Sequence, residues 1–213
     1  MIRLLRFLFF AAFVRPVLAL LLGMNVRDRH RLPDRGPAIV IANHNSHLDT
    51  MVMMSLLPLR LLPRVRPIAA ADYFLSGRGL AWFSLNIIGI VPLKRQRSEP
   101  DEDLLGPCSE ALEDDAILIF FPEGSRGEPE RMAAFKSGIA RLAERHPEVP
   151  VTPVFLHGLG KALPRGEALL VPLMLDVFVG EPIRWDGRSA NYMQQVTDSI
   201  HSLAANAHLP AWD

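Results

Sequence analysis

From residue 37 onward, short unbroken apolar runs alternate with longer mixed stretches. The apolar runs are PAIVIA (37–42), VRPIAA (65–70), GIVPL (89–93), AILIFF (116–121), VPVTPVFL (149–156) and LLVPLMLDVFV (169–179). A strand covered on both faces of a parallel sheet reads as such a continuous run. The intervening stretches have helical spacing: 46–58, a short amphipathic piece from Asp72, 80–88, 100–114 with Gly106-Pro107 inside it, 137–145, and a closing segment at 190–206. Strand and helix in alternation predict an α/β fold with a single, mostly parallel sheet flanked by helices. No internal repeat, low-complexity tract or interdomain linker interrupts it. The expected organisation is residues 1–34 as membrane-associating helices and 35–213 as one α/β domain.

The first 24 residues have a different pattern. FLFFAAFV (7–14) and PVLALLLGM (16–24) are two apolar runs separated by Arg15, and the second begins with Pro16. Neither reaches the roughly 18–20 residues a spanning helix needs. Three arrangements are ranked in order. The first is a pair of short apolar helices lying in one leaflet as a monotopic anchor, with arginines reaching the headgroups. The second is a single span over 7–26, with Arg15 and Pro16 at mid-depth at a cost of several kcal/mol. The third is a cleaved signal, which lacks a small-x-small site. A helix buried against the domain is the plain alternative.

Composition narrows the chemistry. The chain has 213 residues with 23 basic and 23 acidic side chains, and this zero balance argues against broad nucleic-acid binding. Residues 1–35 carry Arg3, Arg6, Arg15, Arg27, Arg29, Arg31 and Arg35 against Asp28 and Asp34, so the N-terminal segment is basic. The single cysteine, Cys108, permits no internal disulfide or thiolate metal site and reads as a small, semi-buried residue in a reducing compartment. G-x-S-x-G, the P-loop, G-x-G-x-x-G and H-E-x-x-H are all missing. His44 and His47 alone are too few ligands for a metal, and none is expected.

Four constellations follow strand ends or precede helices. PAIVIA runs into Asn43-His44-Asn45-Ser46-His47-Leu48-Asp49. A carboxylate folded back onto one imidazole nitrogen would fix the tautomer and leave the other nitrogen as a general base. Ser46-x-x-Asp49 is equally a helix-capping box, and both readings stand on sequence alone. After AILIFF comes Phe121-Pro122-Glu123-Gly124-Ser125-Arg126-Gly127, where Gly124 permits a tight turn and Arg126 offers a planar fork for phosphate. An ordinary turn with a Glu123–Arg126 ion pair is the alternative. Arg95 ends the run that begins at Gly89, where a solvated strand end is the plainer reading taken alone; Lys136 precedes a helix whose dipole it opposes unless an anion uses both the charge and the free N–H groups. One His/Asp pair and three cationic positions, Arg95, Arg126 and Lys136, point to an anionic headgroup held near a base.

Together these blocks resemble the glycerolipid acyltransferase family, especially the bacterial 1-acyl-sn-glycerol-3-phosphate (lysophosphatidic acid) acyltransferases. N-H-x-x-x-x-D matches Asn43, His44 and Asp49, and the glycine-led strand ending in arginine matches Gly89 to Arg95. F-P-E-G-x-R matches Phe121 to Arg126, followed by Phe135-Lys136-x-Gly138. The proline-containing strand matches Val151-Thr152-Pro153-Val154. The resemblance covers about residues 35–160, plus the N-terminal helix pair of bacterial members. Gly127 stands where serine or threonine is common, and Pro92 and Lys94 replace a common aromatic and acid; these departures bear on the acceptor headgroup. The resemblance implies transfer of an acyl chain from an acyl-CoA or acyl-carrier protein to the sn-2 hydroxyl of lysophosphatidate, with no bound cofactor. It makes His44 the base and Asp49 its orienter, and gives acceptor binding to Arg95, Glu123, Gly124, Arg126 and Lys136. It places the protein at the cytoplasmic face of a bacterial inner membrane, held by a monotopic or single-span anchor. Another lysolipid acceptor, a thioesterase or lysophospholipase, and a non-catalytic lipid-binding homologue are the competing readings.

Overall fold

The computed structural model describes residues 1–46, 48–95, 102–125, 127, 132–159 and 173–207. Among these, seven strands form one sheet: β1 (Leu22–Arg27), β2 (Ala38–Ala42), β3 (Val65–Ala70), β4 (Val91–Leu93), β5 (Ile117–Phe120), β6 (Val151–His157) and β7 (Leu173–Val179). Their order is β1-β7-β6-β2-β5-β3-β4. Every neighbouring pair is parallel except β6 and β7. The expected mostly parallel α/β sheet is therefore present, with six of its strands where the apolar runs placed them. Residues 169–172 of the last run lie outside the described residues.

All five residues of β2 are buried, which is why it carries no polar residue. The two-residue period of the strand divides them between two cores. Val40 and Ala42 join Ile117 and Ile119 on one face, under Phe10, Val14 and Leu18 and under Val52 and Met53 of the helix Asp49–Leu56. Ile39 and Ile41 join Leu118 and Phe120 on the other. Helices Gly106–Glu113, Gly138–Arg145 and Ser189–Asn206 cover that second face with Leu112, Ile139, Leu142, Tyr192, Val196 and Ile200. Each fully buried aliphatic side chain contributes about 1.5–3 kcal/mol. Cys108 is one of these core residues, and burial first, then Asp103, pushes its thiol up to about 12. At that value it is no nucleophile at neutral pH.

The expected N-terminal helix pair is corrected to one continuous helix over residues 2–21. Ile2–Leu8 and Arg15–Leu21 are α-helical, and Phe9–Val14 between them is a π-helix. Arg15 and Pro16 do not break it, because the wide turn changes the hydrogen-bond register: the Arg15 N–H goes to the Phe10 carbonyl. A proline ring clashes with the carbonyl four residues earlier only when the regular ladder is kept. The second apolar run is also split. Its end leaves the helix at Leu22 and becomes β1, an edge strand paired with β7, so part of the stretch 1–34 belongs to the sheet. Among the described residues no helix is long and apolar enough to cross a membrane.

The connections place the site. The chain leaves β2, passes through Asp49–Leu56 on one face, and enters β3 beyond β5. It leaves β5, passes through Gly138–Arg145 on the opposite face, and enters β6 beyond β2. Neighbouring strands β2 and β5 thus send their chains to opposite sides, and their carboxyl ends form the topological switch point, the crevice position at which open α/β sheets bind ligands.

Candidate active site

The loop after β2 carries His44 to this crevice. Asn43 anchors its base: the side-chain Nδ2 donates to the Leu156 carbonyl (2.9 Å) and Oδ1 accepts the Leu156 N–H (2.8 Å), tying β2 to β6 beyond their ladder. The chain then turns back so that Asp49, the first residue of its helix, faces the imidazole. Asp49 Oδ2 lies 2.8 Å from His44 Nδ1 and also accepts the N–H groups of Asn45 (2.6 Å) and Ser46 (2.8 Å). The helix starts at Asp49 after Leu48, with no side-chain cap, so Ser46 is not its N-cap residue as the capping box expects. The Asp49 oxygen instead braces the loop before the helix and engages the histidine.

Asp49 is fully buried, and burial holds its carboxyl above the usual carboxylate range, against the opposing pull of His44, Ser46 and Asn45. The His44 side chain is 18% exposed, so the ring reaches the crevice while Nδ1 faces the carboxylate. With Asp49 ionised, Nδ1 carries the proton it donates and Nε2 has a free lone pair.

The loop after β5 completes the setting. Phe121 stacks on the His44 ring, centroids 4.2 Å apart and planes 19° from parallel. Glu123 is buried, and both its oxygens accept backbone N–H groups: Oε1 from His44 (2.7 Å) and Oε2 from Ala133 (2.9 Å). Burial, the largest influence, raises its carboxyl above the ordinary value. The His44 carbonyl accepts the Gly127 N–H at 3.2 Å. The peptide of His44 is thus held from both sides by the 121–127 loop.

Gly124 sits at φ +72°, in the left-handed region that favours glycine. A Cβ there would lie 2.8 Å from Lys136 Nζ, so the lysine lies directly over the glycine. Lys136 precedes the helix Gly138–Arg145, and its N–H donates to the Pro122 carbonyl (2.9 Å). His44, Asp49, Glu123, Gly124 and Lys136 therefore form one connected cluster. Arg95 stands apart. It follows β4, two strands beyond β5, about 14 Å from β2 at the usual strand spacing. It is exposed and faces exposed Asp72 at 3.5 Å. Arg126 and His47 lie outside the described residues. Among the described residues no three His, Cys, Asp or Glu side chains gather as a metal site.

Sequence reasoning gave no role to Phe121, to the Asn43 bridge or to the Gly127 N–H. Phe121 and Asn43 lie inside the recognised blocks, and their position beside a strand end was the available signal. The Gly127 contact runs from backbone to backbone and has no sequence signal.

Comparison with known proteins identifies the family. The 1-acyl-sn-glycerol-3-phosphate acyltransferase LPAT1 of Arabidopsis thaliana chloroplasts is 32% identical over 168 residues, spanning 75% of this chain and 43% of the relative. The mouse 1-acyl-sn-glycerol-3-phosphate acyltransferase alpha is 28% identical over 184 residues, spanning 84% of this chain and 62% of the relative. The chain thus spans less than two thirds of the length of these relatives. The crystal structure of the 1-acyl-sn-glycerophosphate acyltransferase PlsC from Thermotoga maritima shares the fold, with a TM-score of 0.77 at 21% identity over 97% of this chain and 81% of that one. The pattern of the acyltransferase family matches residues 23–157, from β1 to the end of β6, and with His44 and Asp49 paired inside that stretch the chain belongs to the acyltransferase family.

Proposed function

We propose that the protein transfers an acyl chain from an acyl thioester, carried by coenzyme A or acyl-carrier protein, to the sn-2 hydroxyl of lysophosphatidate, giving phosphatidate. The observation that carries this reading is the 2.8 Å contact between His44 Nδ1 and buried Asp49. An alcohol is not ionised at neutral pH. His44 Nε2 takes its proton as the oxygen bonds to the thioester carbonyl, and Asp49 stabilises the imidazolium that forms. The tetrahedral adduct collapses by breaking the C–S bond, and the departing sulfur takes the proton from His44. No protein nucleophile is needed, so transfer is direct between two bound substrates. Lys136 and the N-terminus of Gly138–Arg145 suit the acceptor phosphate, with Arg126 of the same loop as a further cation, while Arg95, apart from this cluster, would meet the acceptor at another point. Glu123, with both oxygens occupied, serves acceptor binding by holding the His44 loop in place.

The membrane surface would supply the lipid. Leu4, Phe13 and Leu20 of the N-terminal helix are exposed, as are Trp82 and Leu85 on the segment it packs against through Phe9 and Phe83. This face suits an apolar seat in one leaflet at the cytoplasmic side of a bacterial inner membrane.

The test is labelled acyl transfer in mixed micelles, from acyl-CoA and from acyl-carrier protein, to lysophosphatidate and a panel of other lysolipids. Lysophosphatidate should be the preferred acceptor, and His44→Ala should lower turnover at least a hundredfold with circular dichroism unchanged. Retained turnover above about one percent would remove His44 as the base. Transfer to a different lysolipid alone would keep the mechanism and move the headgroup assignment.

A further inference from the structure

The helix that begins with Asp49 is held at its far end by two arginines from outside the crevice. Asp49–Leu56 is about 12 Å long, and its last carbonyls have no partner within the helix. Beyond it Leu57 is extended and Pro58 has no N–H, so the chain supplies no regular cap. Three successive carbonyls instead accept guanidinium N–H groups. Arg15 Nη2 donates to Ser55 (3.1 Å) and Leu57 (2.6 Å), and Arg29 Nη2 donates to Leu56 (2.8 Å). Arg15 comes from the N-terminal helix, and Arg29 from the turn Arg29–Arg31 after β1.

Among the described residues neither arginine forms an ion pair with a carboxylate. Both charges are directed at the negative end of one helix. Arg15 lies below the usual arginine value, through burial first and then through the neighbouring Arg29 charge. Two like charges are thus gathered at one helix end, and the carbonyls hold them there. At the other end of the helix, Asp49 Oδ2 meets His44. A short helix is a stiff strut, so its lengthwise position sets where the carboxylate meets the imidazole. Misplacement of a catalytic group by about 1 Å is enough to cost a hundredfold in rate.

We propose that Arg15 and Arg29 are positioning residues for acyl transfer, fixing Asp49 against His44 through the helix Asp49–Leu56 and linking the N-terminal helix to the catalytic pair. The proposal rests on the reading of His44 and Asp49 as base and orienter. Arg15 touches neither, so its effect belongs to the chemical step and not to acceptor binding.

The experiment compares full-length wild type, Arg15→Met, Arg15→Lys, Arg29→Met and His44→Ala in the micelle assay, with kcat, KM for lysophosphatidate and thermal unfolding. Arg15→Met and Arg29→Met should lower kcat about tenfold and leave KM within twofold. Arg15→Lys, which keeps a charged donor, should recover most of kcat. Should Arg15→Met fail to fold, Arg29→Met and Arg15→Lys carry the same test. Folded variants with unchanged kcat, or with a raised KM at constant kcat, would overturn the proposal. So would a kcat loss that Arg15→Lys leaves unrecovered, since the charged donor to the helix carbonyls would then not be what matters. Wild-type turnover by His44→Ala would instead remove the underlying assignment, and the two failures are thereby told apart.

Discussion

Asp49→Asn changes one oxygen of a fully buried side chain, and the surrounding bonds dictate how the amide must sit. Oδ2 accepts three N–H groups, from His44, Asn45 and Ser46, whereas Oδ1 is buried with no partner among the described residues. The asparagine oxygen must take the place of Oδ2, since an NH2 there would face three donors. The NH2 then occupies the unpartnered position, at a cost of about 1–3 kcal/mol. This is offset in part because a neutral amide escapes the burial penalty that raises the Asp49 carboxyl. The fold should therefore survive, with a modest shift in melting temperature. The rate should not. Opposite charges separated by 2.8 Å at an effective dielectric near 20 attract by about 6 kcal/mol. The imidazolium of the transition state loses that attraction, and even half of it is about a hundredfold in rate. We expect kcat to fall between roughly a hundredfold and ten-thousandfold, with KM for lysophosphatidate little changed. Thiol release from acyl-CoA, followed continuously beside a circular dichroism melt, measures both quantities. Turnover within fivefold of wild type in a folded Asp49→Asn protein would refute the reasoning and leave Asp49 as a brace for its loop only. His44→Ala with Asp49→Asn should cost little more than His44→Ala alone, because the two act as a unit.

Gly124→Ala combines left-handed strain, about 1–3 kcal/mol, with displacement of Lys136. It should raise KM for a phosphate-bearing acceptor more than for an uncharged one, and equal effects on both would separate Lys136 from the phosphate. Glu123 has a pH signature in stability. Its carboxyl is raised in the fold, so the folded chain binds that proton more tightly than the unfolded chain, and its contribution falls as pH climbs above about 4. The stability of wild type minus that of Glu123→Gln, from urea unfolding at pH 4 to 7, should therefore fall with rising pH; a constant or rising value contradicts the assignment.

The central strands were readable because burial on both faces leaves no room for polar residues, as in Ile39–Val40–Ile41 and Ile117–Leu118–Ile119. β1 was not. It is an edge strand, its sequence LGMNVR contains glycine and asparagine, and its start merges with the apolar helix before it. The His44–Asp49 pair was legible because a five-residue separation across a strand-to-helix turn can bring the two side chains together. The inward direction of Glu123 was hidden. Beside Arg126 it reads as half of an ion pair, and sequence gives no sign that its partners among the described residues are the backbones of His44 and Ala133. The arginines that cap the catalytic helix were hidden for the same reason: carbonyl acceptors are present at every residue and leave no mark on composition.

The wide turn at Phe9–Val14 has a geometric consequence. Arg6, Phe10, Val14 and Leu18 are all buried and stand four apart. In a regular α-helix each four-residue step overshoots a full turn by about 40°, so over three steps the stripe would wander by about 120° and leave the core. The π segment rotates the helix back by taking more residues per turn. It acts as a phase correction. One straight rod keeps a single seam against the domain for its whole length, so Arg6 can reach the carbonyls of Val65 and Ile88 near one end while Arg15 reaches those of Ser55 and Leu57 further along.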